Sequence, residues 1–249
     1  MQRIDFWGKL HIYGHKVTLC FLFVIGIASS GFSQAEKKMY GRYTGAVNLP
    51  YYDDKRFHFG FTLGLNTTRL VPTPSKQYFA NDTISSVQSK NNGGFSLGFI
   101  VNYRLADYWD LRLLPTVAFY ERDVEFNTKA AGSTVQANES AYIELPLLVK
   151  FKSQRRRNSR MYTVAGLKPG IETGAKKKDK SDQTLRLNSS DLAIDYGVGV
   201  DIYYPLFKFS PEIRISHGLT NMLIHDPNAY SQSLMKLTTH TVTLYLHFE

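Results

Sequence analysis

Four histidines toward the end of the chain, His217, His225, His240 and His247, are the first residues whose type suits catalysis or metal binding. A histidine beside a serine or an acidic partner can move protons for a lipase or protease. Their spacing does not assemble such a site. His247 falls in the polar phase of an alternating run, where a hydrogen-bonded structural histidine is the plain reading, and His225-Asp226 has no second ligand set beside it. Gly197-Val198-Gly199 lacks the third glycine and the following helix of a dinucleotide loop, so it reads as close packing. The single cysteine, Cys20, lies in an apolar run near the start, so the mature chain has neither a thiolate nor a disulfide. No enzyme is expected, and with it no cofactor, no metal and no small-molecule substrate.

Charged residues are the second set of candidates. Arg104, Arg112, Glu144, Lys150, Asp195, Asp201, Glu212 and Arg214 share the polar phase of alternating segments. If that phase lines a closed interior, the two signs must satisfy one another there. Two basic runs lie elsewhere: KKKDK, Lys176 to Lys180, in a long connection, and Arg155, Arg156 and Arg157, with Lys150, Lys152 and Arg160, around a short one. The first suits anionic lipid sugars or a solvated loop; the second suits inner-leaflet phosphates or a protein partner.

The elements that position these residues are strands, because alternation of period two dominates and no long helical period with caps appears. In KRFHFGFTLGLN, Lys55 to Asn66, Phe57, Phe59, Phe61, Leu63 and Leu65 oppose His58, Gly60, Thr62, Gly64 and Asn66. Eight such runs can be counted: 57–66, 94–104, 109–121, 141–151, 161–172, 191–204, 207–215 and 242–248. The facing around Lys168 and Pro169 is ambiguous. Long connections (67–91, 122–139, 173–190, 217–239) alternate with short ones (105–108, 152–160 and the Tyr204-Pro205 corner), as in an up-and-down membrane barrel.

A soluble ligand-binding barrel would show the same alternation with the apolar face inside. Three features favour the inverse. The polar phase carries Gly60, Gly64, Gly98, Gly197 and Gly199, which a narrow lumen needs and a soluble exterior does not. It carries charges of both signs. Aromatic residues gather at the ends of the apolar phase (Phe57, Tyr103, Phe119, Phe151, Tyr162, Tyr204, Phe207, Phe248), where interfacial girdles sit. Pro115, Pro146, Pro169 and Pro211 oppose this reading, since each removes a ladder hydrogen bond and a closed barrel has no edge. The expected fold is all-β, an eight-stranded antiparallel up-and-down transmembrane barrel over residues 57–249. Its lumen would be filled by side chains, which makes a transport pore doubtful.

Residues 1–35 read as a cleaved signal peptide, with Arg3, Lys9 and Lys16 before the apolar run Val17 to Ala28 and small residues Ser33 and Ala35 near the cut. That run is too short for a spanning helix. A lipoprotein is the weaker alternative, because Leu19 is large for the position before Cys20. The full chain of 249 residues carries 30 Lys+Arg and 21 Asp+Glu, and removing three basic and one acidic residue leaves 27 against 20, a mature charge of +7. For an exported protein such a surplus suits lipid phosphates or a partner; no basic-aromatic interleaving points to nucleic acid.

The segment NLPYYDDKRFHFGFTLGLN, Asn48 to Asn66, resembles the start of the PorT family, outer-membrane barrels of the type IX secretion system of Bacteroidota. Beyond it the likeness is one of kind: mature length, eight strands and a first long loop after LNTTRL. The resemblance implies a role in exporting proteins across the outer membrane, and in gliding where that motility exists, and it brings no catalytic residue. Partners expected on this reading are outer-membrane lipids, lipopolysaccharide among them, and other type IX secretion proteins. Protein contacts would fall to the leader 36–56, especially Tyr51, Asp53, Asp54, Lys55 and Arg56, and to Arg155, Arg156 and Arg157. Both termini would lie in the periplasm.

Overall fold

Period-two alternation is realised as pairing along the whole described chain. The computed structural model describes residues 47–75, 84–128, 132–173, 186–224 and 233–249. The expected signal peptide, the KKKDK run and His225-Asp226 lie outside the described residues. After a 3-10 turn at Tyr52–Asp54 come β1 (Phe57–Pro74), β2 (Ile84–Ser89), β3 (Asn92–Arg104), β4 (Trp109–Leu113), β5 (Thr116–Thr128), β6 (Gly132–Glu144) and β7 (Leu147–Lys152). Then follow β8 (Ser159–Thr173), β9 (Arg186–Leu187), β10 (Ser190–Tyr203), β11 (Lys208–Gly218), β12 (Leu223–Ile224) and β13 (Leu234–Phe248).

The pairing runs antiparallel from β1 through β3, β4 with β5, β7 with β6, β8, β10, β11 and β13, and β13 returns to β1. The ring therefore has eight staves. β4 and β5 are one stave interrupted at Leu114-Pro115: Leu113 faces Val101 and Thr116 faces Gly98 in a single register. β6 and β7 are likewise one stave interrupted at Leu145-Pro146, in one register on β8. The missing N–H groups thus cost ladder bonds without breaking the wall. The carbonyls of Pro115, Pro146 and Pro169 still accept from Phe99, Leu114 and Leu145.

Stepping across partners from Phe59 leads to Val101, Leu113, Leu147, Leu167, Ile194, His217 and His240, and back to β1 at Arg69, ten residues further on. Eight strands with that stagger tilt about 40° and enclose a lumen just wide enough for side chains. Outward positions hold Phe59, Phe61, Leu65, Phe95, Phe99, Ile143, Met161, Ile171, Val198 and Ile213, all exposed. Inward positions hold Thr62, Asn66, Ser96, Asn102, Arg112, Lys150, Asp195, Asp201, Glu212 and Arg214, all buried. The polar face lines the lumen, the arrangement a bilayer requires.

Two expectations need correction, and one open point is resolved. Much of the connections 67–91 and 122–139 is strand: β1 reaches Pro74, β2 extends the β3 stave on β5, and β5 and β6 pair up to Thr128 and Gly132. β13 likewise begins at Leu234. At about 3.3 Å per residue, 18 tilted residues of β1 span about 45 Å, well past an apolar band of about 25 Å. Beyond that band the outward residues become mixed (Thr67, Arg69, Val71, Thr73), so hydrophobic patterning fades while hydrogen bonding continues. The second correction is Tyr162, which points into the lumen instead of joining an outer girdle. The stretch left ambiguous is resolved: Lys168 faces inward and Pro169 outward.

Candidate functional site

The inward column of β10 and β11 carries the two carboxylates on which the lumen is organised. Asp201 accepts from Lys150 Nζ at 2.8 and 2.9 Å, Arg160 Nε at 2.9 Å and Ser210 Oγ at 2.7 Å. Glu212 accepts from Tyr162 Oη at 2.9 Å, Arg112 Nη1 at 3.3 Å and Arg214 Nε at 2.8 Å, with His247 Nε2 at 3.3 Å. A ring lies beside these cations: Lys150 Nζ is 3.6 Å from the Tyr162 centroid. The ring also fills the space that a Cβ on Gly199 would need. That is why a glycine sits in the polar phase there.

Two further groups extend the network. Asp110 takes Lys152 Nζ at 2.7 Å and Asn102 Nδ2 at 3.1 Å. Toward the long-loop end, Glu144 takes Tyr120 Oη at 2.6 Å and lies 3.2 Å from Lys168 Nζ, while Arg122 sits 4.8 Å from both the Tyr120 and Tyr142 ring centroids. Above them Leu70, Val124, Leu223, Leu234 and Leu237 form an apolar cluster, with Met222 packed on Tyr120 and Tyr142. β9 and β12 pair with each other there and bring Leu187 and Leu223 over the lumen.

The opposite mouth, bounded by the short turns 105–108, 153–158 and 204–207, is closed by the residues that precede β1. Asn48 donates its N–H to Asn158 Oδ1 and its amide to the Tyr203 carbonyl, at 2.8 and 2.9 Å. Tyr52 donates to Glu249 at 2.9 Å, stacks on His58 with centroids 4.1 Å apart and carries Lys208 Nζ 4.6 Å from its ring. Glu249, the last residue, also takes Arg112 Nη2 at 3.0 Å and Lys208 Nζ at 2.9 Å. Asp53 lies 3.0 Å from Arg160. Burial alone would raise the Asp53 carboxyl, but Arg160, Lys152 and Lys208 outweigh it and hold its pKa below the ordinary value. Burial, and then the Glu249 carboxylate, push the Tyr52 hydroxyl far above its ordinary value.

Of the eight charges assigned to the lumen from sequence, Arg112, Glu144, Lys150, Asp195, Asp201, Glu212 and Arg214 are buried inside. Arg104 is not; it sits at the rim, bonded to the Asp53 carbonyl and to Asp107. The parity is right, but the stave ends there. Lys152 and Arg160, grouped above with a lipid-gripping basic turn, instead face inward to Asp110 and to Asp201. The alternation also puts Asp110 and Lys208 on the polar face, two and four residues from Arg112 and Glu212, although the charged set above omits both, together with Lys168 and Glu249.

Among the proposed contact residues, Tyr51, Asp54, Lys55, Arg56, Arg156 and Arg157 are exposed. Arg155 donates to the Leu49 carbonyl at 3.1 Å, also bonds the Asn48 carbonyl, and lies 3.7 Å over the Tyr203 ring, so it ties the leader down. His217 and His240 face outward beside each other, away from His247. Among the described residues no three His, Cys, Asp or Glu side chains converge as a metal set.

Residues 32–223 match the family described as outer membrane protein β-barrel domain. No curated protein matches. Similar solved structures include OprG from Pseudomonas aeruginosa, at 12% identity over 78% of this chain and 92% of that one, with a TM-score of 0.45. Neisserial surface protein A gives 11% over 78% and 98%, TM-score 0.40. Ail of Yersinia pestis, in complex with the heparin analogue sucrose octasulfate, gives 14% over 78% and 99%, TM-score 0.37.

Proposed function

Because the chain belongs to the outer membrane protein β-barrel domain family and is an integral outer-membrane barrel, we propose that it works without catalysis, through protein contacts, as a component of protein secretion by the type IX system. Both termini and the short turns lie in the periplasm on this reading, and the long loops face outward. The observation that carries it is the mouth. Asn48, Tyr52 and Asp53 of the motif that resembles the PorT family are tied into the barrel, while Tyr51 (75% exposed), Asp54, Lys55 and Arg56 are left on the outside with Arg156 and Arg157. The same short segment therefore closes the lumen and presents a charged, aromatic surface to whatever assembles beneath it.

A filled lumen supports the same reading, because seven large side chains that are wholly buried (Arg112, Arg214, Tyr142, Tyr203, Lys150, Lys152, Lys208) occupy the space a substrate would need. The test is secretion of type IX cargo by a strain lacking this chain, complemented with the wild type or with Lys55, Arg56, Arg156 and Arg157 all changed to serine. Cargo is expected in the medium only with the wild type, with the variant barrel present in the membrane at normal level. Normal secretion by the deletion strain removes the type IX role and leaves a generic small barrel.

A further inference from the structure

The outer surface of the β10, β11, β13 and β1 staves changes character toward the long-loop end. The circuit that starts at Phe59 meets only apolar outward side chains until Ile194, and then brings His217, His240 and Arg69 together as direct cross-strand neighbours. The two imidazoles and a neighbouring tyrosine are in contact. The His217 and His240 centroids are 4.6 Å apart, edge to face, and Tyr196 places its hydroxyl 2.7 Å from His217 Nε2 with its ring stacked at 5.6 Å. Toward the short-turn end the same staves carry Leu65, Leu244 and Ile213; toward the long-loop end β1 carries Val71 and then Thr73, and β13 carries Thr238 and Lys236. The cluster thus lies where the apolar band meets the polar wall.

The other side of the barrel has no counterpart. Allowing for the climb of ten residues per circuit, the same height on β5, β6 and β8 is held by Phe119, Ile143 and Ile171. The Arg69 guanidinium, set into the edge of the band, calls for an anion; the two imidazoles beside it add polar ring nitrogens, and the outward neighbours Ile194, Ile215, Val242, Thr238, Thr67 and Val71 supply no negative charge. Among the described residues no ion pair reaches Arg69, His217 or His240. At that depth the anion available is the phosphate of a lipid headgroup.

We propose that Arg69, His217, His240 and Tyr196 form a binding site for a headgroup phosphate of the outer-leaflet glycolipid. Assignment to that leaflet rests on the orientation proposed above. Arg69 supplies a fixed charge with paired N–H donors that match a phosphate; His240 adds one donor, and the hydrogen-bonded Tyr196–His217 pair has one further proton to give. Tyr196 stands with its ring against lipid and its hydroxyl toward the headgroup, the usual posture of an interfacial tyrosine.

The test is native mass spectrometry of the purified barrel in detergent with bisphosphorylated lipid A or its dephosphorylated form, in the wild type, in Arg69→Ser/His217→Ser/His240→Ser, and in Lys90→Cys as a surface control. Heat-modifiable mobility confirms that each variant is folded. The wild type and Lys90→Cys are expected to retain the phosphorylated lipid about tenfold better than the dephosphorylated one, and the triple variant to lose that preference. Equal retention of both lipids by the wild type, or an unchanged preference in the triple variant, overturns the site. Displacement of the lipid by millimolar inorganic phosphate assigns the cluster to a free anion and overturns the lipid reading. Orientation is read separately, from labelling of Lys90→Cys on intact cells, and secretion of cargo plays no part in either result.

Discussion

Asp201 serves two cations and a hydroxyl from three staves, so it is the residue at which the lumen is most vulnerable. Changing Asp201 to Asn keeps the shape but leaves the buried Lys150 and Arg160 short of a counter-charge, which costs about 3–5 kcal/mol. Urea unfolding in lipid vesicles, followed by heat-modifiable mobility, is expected to show that loss. Arg104→Ala at the rim is expected to cost under about 1 kcal/mol by the same assay, because its partner Asp107 is exposed to water. Asp53 gives a pH signature. Its pKa is depressed in the folded chain, so its contribution is present above the ordinary carboxylate value and is lost as pH falls through the depressed one. Hydrogen-exchange protection of the Tyr52 and Asp54 amides, which bond to the Leu49 and Tyr51 carbonyls, taken relative to the intrinsic rate at each pH, is expected to fall on acidification below about pH 4. In Asp53→Asn that acid-dependent step should be gone; a step of unchanged size assigns it to another group.

Strand phase was legible wherever lipid faces one side, because there each outward position must be apolar and each slip would turn a charge into the bilayer. Phe57 to Leu65 and Leu192 to Ile202 are such stretches. Strand length was not legible, because beyond the band the outward positions admit polar residues such as Arg69, Thr73 and Asp123 while inward ones such as Leu70 and Val124 turn apolar, so the phase of the pattern is lost and only pairing marks these stretches as strand. The same physics hid half of the lumen network: Lys152 and Arg160 flank a basic turn in sequence, and only the stave ends decide that they turn inward. The prolines argued against a closed wall, yet the register runs straight through them. Replacing Pro115 and Pro146 with alanine returns two N–H donors but frees the unfolded chain, and both effects are worth about 1 kcal/mol or less per site. Stability of the double variant is therefore expected to stay within about 1 kcal/mol of wild type. A loss above 3 kcal/mol in the vesicle unfolding assay would show that the prolines shape the wall.

As a whole, the molecule is a barrel closed at three levels, and each level has a different physical origin. Tyr52 and the leader shut the short-turn mouth by hydrogen bonds and stacking. The ion-paired middle is held by charges that cannot be separated cheaply in a buried lumen. Leu70, Leu223, Leu234 and Leu237 shut the long-loop end by burial of apolar surface. Three independent seals make a clear prediction about conductance. Deleting residues 47–54 removes the first seal alone, so a planar bilayer containing the truncated barrel is expected to show the same near-zero current as one containing the undeleted barrel, while the truncated form still migrates as a folded barrel. Steady single-channel openings after that deletion would mean that the leader is the gate and that Arg112, Glu212 and their neighbours line a path. Unchanged silence, together with impaired cargo secretion in cells carrying the same deletion, would place the leader's role in what it touches beneath the membrane and not in what it keeps out of the lumen.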